Sequence, residues 1–146
     1  MRVPGLIRKA ARMPASTSSD LASVAERIDA VEEAYEFCLA YAAQGRRGDE
    51  SGPGSEVRRF LERALAALEG LAAAAAAKAP ADAAAQAFLE VLRGDALKAG
   101  AAIRLVLTRD AISSQLIDNL NASIHLRALL TDLFLIDESL KGTPGA

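Results

Sequence analysis

Histidine and cysteine each occur once in this chain, and tryptophan not at all. One residue of each ligand type cannot build a structural zinc site, which draws four ligands from several Cys and His. Nor can one histidine supply the paired Glu-x-x-His motifs of a ferritin-like di-iron centre, and Ala122, not Glu, stands three residues before His125. The single Cys38 excludes an intramolecular disulfide and suits a reducing compartment. No apolar run reaches the roughly 18–20 residues that span a bilayer, and no secretory h-region with a cleavage site is seen, so Asn121-Ala122-Ser123 reads as a chance glycosylation triplet. Neither Gly-x-Gly-x-x-Gly after a strand nor Gly-x-x-x-x-Gly-Lys-Ser/Thr occurs, which leaves no nucleotide-phosphate cradle. Excess basic charge is missing too: a net charge of −2 and a pI near 5.5 argue against nucleic-acid binding.

What remains is helical in character. Alanine dominates, with Leu, Glu and Arg well represented, and these are strong helix formers. The length of 146 residues suits one domain with a real core. The expected fold is all-α, an antiparallel four- or five-helix bundle with a long, apolar C-terminal helix. Residues 1–18 read as a flexible basic N-terminal arm, residues 19–142 as the helical bundle and residues 143–146 as a disordered tail. The arm carries Arg2, Arg8, Lys9 and Arg12 with no acid before Asp20. That composition fits weak contact with an anionic membrane surface or an acidic partner, and also resembles a transit peptide. The alanine-rich remainder favours a bacterial, cytoplasmic protein.

The first helix is expected from about Ser19 to Ala43, capped by Ser18 or Ser19. Leu21, Val24, Ile28, Val31, Tyr35, Cys38 and Ala42 form a heptad stripe. Glu26, Asp29, Glu33 and Glu36, with Glu32 beside them, form an acidic outer face that reads as solvated, not as a cation site. A Gly- and Pro-rich linker follows at 45–54. Ser55 opens a second helix to about Lys78, with Val57, Leu61, Ala64, Leu68, Leu71 and Ala75 inward. A third is expected over 81–93 and, after Gly94-Asp95, a fourth over 96–108. Within it residues 103–107, IRLVL, could pass for a buried strand, but no partner strand is evident to take its hydrogen bonds, and residues 97–107 are left as helix or irregular. The last helix is expected to run unbroken from Thr108 or Asp110 to Leu140.

Two features of that last segment bear on function. His125 sits in Ile124-His125-Leu126-Arg127. Phosphotransfer histidines carry a basic residue three positions later; here Arg127 stands two later, about 100° round the helix. The register fails, and His125 is an outside catalytic candidate, with Arg127 and Asp132 as its electrostatic partners. The second feature is an apolar surface on nearly every side of residues 126–136. A helix of that kind is normally covered by protein all round. Leu126, Leu129, Leu130, Leu133, Phe134 and Ile136 are therefore the expected interface of a homodimer, with polar groups at 119, 121, 123 and 125 fixing its register. The functional expectation is a non-enzymatic adaptor, regulator or assembly factor that self-associates through its C-terminal helix, without cofactor or metal. The alternatives are phosphotransfer through His125, or a small-molecule sensor with a pocket lined by Phe88, Leu92, Ile103, Phe134 and Tyr35.

Overall fold

The computed structural model describes residues 23–49 and 55–141. The expected basic arm, the disordered tail and the caps Ser18 and Ser19 lie outside the described residues. Within them the chain forms six α-helices and no strand. They are α1 (Val24–Ala42), α2 (Glu56–Glu69), α3 (Leu71–Lys78), α4 (Ala83–Leu107), α5 (Ser114–Ala122) and α6 (Ile124–Lys141). The all-α expectation holds; the boundaries differ at four places, each for a local reason.

The first helix starts at Val24, not at 19, because Ser23 and Glu26 close a capping box. The Ser23 hydroxyl accepts from the Glu26 N–H at 3.0 Å and the Glu26 carboxylate accepts from the Ser23 N–H at 2.9 Å. Two donors that the helix leaves unsatisfied are thereby paired.

The expected second helix is two, α2 and α3, divided at Gly70. The buried guanidinium of Arg27 reaches across from α1, and its Nη1 donates to the Ala67 carbonyl at 3.1 Å. That carbonyl belongs to the last turn of α2, where acceptors have no helical partner and positive charge is favoured.

The expected third and fourth helices are one, α4. Asp82 caps it by accepting from the Ala85 N–H at 2.8 Å, and the helix runs through Gly94 without a break. A glycine inside a helix costs only about 1 kcal/mol. Against that stands a continuous buried stripe of Leu89, Leu92, Ala96, Ala99, Ile103 and Val106, which needs both halves in register. Residues 97–107 are helical throughout, the IRLVL stretch at 103–107 included.

The expected long last helix is also two. Thr108 ends α4 instead of opening the next helix, and Ser113 caps α5 through the Leu116 N–H at 3.0 Å. At Ser123 the backbone turns to φ −59°, ψ 130°. There the hydroxyl accepts from the His125 N–H at 3.2 Å, and the carbonyl accepts from the Arg127 N–H at 3.2 Å. Serine competes for its neighbours' backbone groups in this way and so marks helix starts. The corner lets α5 pack against α1 while α6 packs against α4.

All six helices contribute to one core, which includes Val31, Leu61, Leu71, Leu92, Ile103, Ile117, Leu129 and Leu133. The α4–α5 connection is tied to α1 and α2 by a polar hub around Asp49. Its carboxylate accepts from Arg58 Nε at 2.8 Å and from the Ile112 N–H at 2.6 Å. The Tyr41 hydroxyl donates to the Ile112 carbonyl at 2.6 Å.

Candidate functional site

The residues expected at an interface are divided by the structure. Leu126, Leu129, Leu130, Leu133 and Ile136 are buried inside the chain, and only Phe134 is exposed, at 55%. The C-terminal helix is thus covered mostly from within, because α4, α1 and α5 all pack against it. Its apolar surface does not require a second subunit at those five positions.

Phe134 belongs instead to a groove of about 500 Å³ between α1 and α6. One wall is Glu32, Tyr35, Glu36 and Leu39 on α1; the other is Arg127, Leu130, Thr131 and Phe134 on α6. Both sets follow the same i, i+3, i+4, i+7 spacing, which places each on a single helix face. Leu39 is 50% exposed, so two large apolar side chains, one from each wall, stand in water. Acidic residues rim the α1 wall and Arg127 rims the α6 wall. The sequence pattern puts Tyr35 on the α1 stripe, but Leu39 and Glu36 lie beside that stripe, and nothing in the sequence marks them as a pair with α6.

His125 is exposed beside the α5–α6 corner. Among the described residues its ring has no hydrogen-bond partner, and no group of three or more His, Cys, Asp or Glu could hold a metal ion. Arg127 lies in the groove and Asp132 is buried, so the three residues of the phosphotransfer reading are not brought together. Cys38 is 2% exposed in the core, and burial pushes its thiol up to about 12. It stays protonated and unavailable as a nucleophile near neutral pH.

The five residues of the sensor pocket are likewise dispersed. Leu92 and Ile103 are core, Phe88 is half-buried, and Tyr35 and Phe134 line the groove. Ile103 and Tyr35 do share a small hollow of about 10 Å³ with Cys38, Leu61, Leu126 and Asn121. A hollow of that size holds at most one water molecule. Asn121 is 6% exposed, and neither its Oδ1 nor its Nδ2 has a hydrogen-bond partner among the described residues. A second surface hollow of about 220 Å³ lies among α2, α3 and α4 over Leu65, Leu68 and Gly100. Arg104 and Glu69 close over it at 3.3 Å.

Two carboxylates have displaced ionisation. Burial alone would raise Asp49, but hydrogen bonds from the Ile112 N–H and from Arg58 outweigh it and lower its pKa. Asp132 goes the other way: burial, and then the neighbouring Asp95, push it up to about 7. Sequence reading took Asp95 only as part of a break with Gly94, and the helix runs through both.

Set against protein-family models, curated proteins and solved structures, the chain shows no significant match.

Proposed function

We propose that the chain is a non-enzymatic interaction protein that associates with a second copy of itself through the α1–α6 groove. The observation that carries this reading is the pair of facing strips, Glu32-Tyr35-Glu36-Leu39 and Arg127-Leu130-Thr131-Phe134. A two-fold axis over the groove brings the α6 wall of one copy onto the α1 wall of the other. Arg127 then meets Glu36 of the second copy, twice, at the rim. Phe134 and Leu39, each about half exposed, meet in the middle. Covering the exposed half of such a side chain is worth about 1 kcal/mol, and the symmetry counts each contact twice.

A charge-swap series tests the pairing. Arg127→Glu or Glu36→Arg alone should weaken self-association, and the double variant should restore it. If the double variant is no better than either single one, the facing-wall arrangement is wrong.

A further inference from the structure

Asn121, in the last turn of α5, is 6% exposed, and neither its Oδ1 nor its Nδ2 has a hydrogen-bond partner among the described residues. It borders the hollow of about 10 Å³ on which five of the six helices converge. Val31 and Cys38 come from α1, Leu61 from α2, Ile103 from α4 and Leu126 from α6. Among the described residues no charged side chain lines it.

Local structure gives no reason for an amide at this position. The turn out of α5 is made by Ser123, whose hydroxyl accepts from the His125 N–H, and Asn121 takes no part in it. A leucine would suit the surroundings, whereas a buried amide without partners is a cost. A primary amide sets an acceptor and two donors side by side. Its complement is a small group that both donates and accepts. With no counter-charge in the lining, that group must be neutral, since a buried ion without a partner is far more costly. A hydroxyl or a carboxamide meets both conditions.

The hollow has room for one group about the size of a water molecule. The remainder of a larger molecule must therefore lie outside it. Half-buried Tyr35 is the one residue that lines both the hollow and the groove of about 500 Å³ between α1 and α6. The groove offers Leu39, Leu130 and Phe134 to an apolar body.

We propose that the hollow and the groove together bind a small neutral amphipathic molecule, with its hydroxyl or carboxamide on Asn121. The Tyr35 ring turns aside to admit it, and the apolar body covers Leu39 and Phe134. Asn121 then gains the partners that the chain itself does not supply. A body lying in the groove takes the place of a second copy, so binding opposes self-association. That last consequence rests on the association reading; the binding site itself does not.

The test uses the full chain at concentrations too low for association. The side-chain amide signals of Asn121 and the ring signals of Tyr35 are followed by NMR as 1-butanol is added. Diethyl ether, which has the same atoms but no donor, and butyrate, which is charged, serve as comparisons. The site predicts saturable shifts at both residues with one dissociation constant, on the order of 1–10 mM for so small a probe. Diethyl ether and butyrate should bind at least about tenfold more weakly. Asn121→Leu should melt no lower than the wild type and lose the saturable response. Shifts that grow linearly without saturating would overturn the proposal. So would equal affinity for diethyl ether, or unaltered binding in Asn121→Leu. Should that variant not fold, the wild-type selectivity decides alone. At high concentration, saturating 1-butanol should return the mass to that of one chain. If 1-butanol binds but the mass is that of one chain with or without it, the site stands and the association reading fails.

Discussion

The guanidinium of Arg27 lies where a side chain on Gly70 would have to go: a Cβ there would stand 2.7 Å from Arg27 Nη2. The glycine is required by this close approach and not by its backbone angle, since its φ of −112° is open to any residue. Gly70→Ala is therefore expected to destabilise the fold by about 1 kcal/mol despite alanine's better helix propensity. The change should couple to Arg27. In the Arg27→Met background, Gly70→Ala should cost less or become stabilising, a coupling of about 0.5–2 kcal/mol in a double-mutant cycle. Strict additivity of the two substitutions would mean that the contact does not decide the break between α2 and α3.

Stability should fall on both sides of a mildly acidic optimum. Asp49 has a lowered pKa in the fold, so its contribution is present above the unfolded value of about 3.9 and is lost as pH falls through the folded one. Asp132 has a raised pKa, so its contribution is whole below about 3.9 and is lost as pH climbs toward about 7. Thermal melts should show the highest Tm between about pH 4 and about pH 5. Asp132→Asn should flatten the decline on the neutral side, and Asp49→Asn should flatten the decline on the acid side. A wild-type Tm that rises steadily to pH 8 or so is incompatible with a raised Asp132.

Asn121 holds two polar atoms in the core without partners among the described residues. A buried donor or acceptor left unpaired costs about 1–3 kcal/mol. Asn121→Leu, similar in size and apolar, should raise Tm by several degrees. A loss of stability on this substitution would show that a water or another group satisfies the amide.

How much of this was open to sequence reading depended on the range of the interaction. The stripe Val24, Ile28, Val31, Cys38 is local periodicity, and all four are buried as that periodicity requires. The Gly70 break depends on Arg27, distant in sequence, and a glycine inside a helical pattern is otherwise tolerated, as Gly94 is. The Ser123 corner had a local signal in its capping side chain, masked by apolar periodicity on both sides. Asp132 was read as an electrostatic partner of His125, and its burial inside the chain had no local signal. The groove was hidden for the same reason. Each wall is an ordinary surface strip until the fold sets one against the other.

The two classes of α6 residue should behave differently when substituted. Leu129 and Leu133 are fully buried, and changing either to Ala should cost about 2–5 kcal/mol with loss of cooperative unfolding at moderate temperature. Phe134→Ser, at the groove, should leave the melting temperature of the isolated chain within about 2 °C. Circular-dichroism melts at low concentration separate the two. Equal losses at Leu133 and Phe134 would place Phe134 in the core.

Sedimentation equilibrium of the full chain across a wide concentration range, near pH 6, tests the self-association claim most directly. The wild type should approach twice the chain mass of 15.2 kDa as concentration rises, and Phe134→Ser should remain at the mass of one chain. A wild type that stays at 15.2 kDa at the highest attainable concentration contradicts the account.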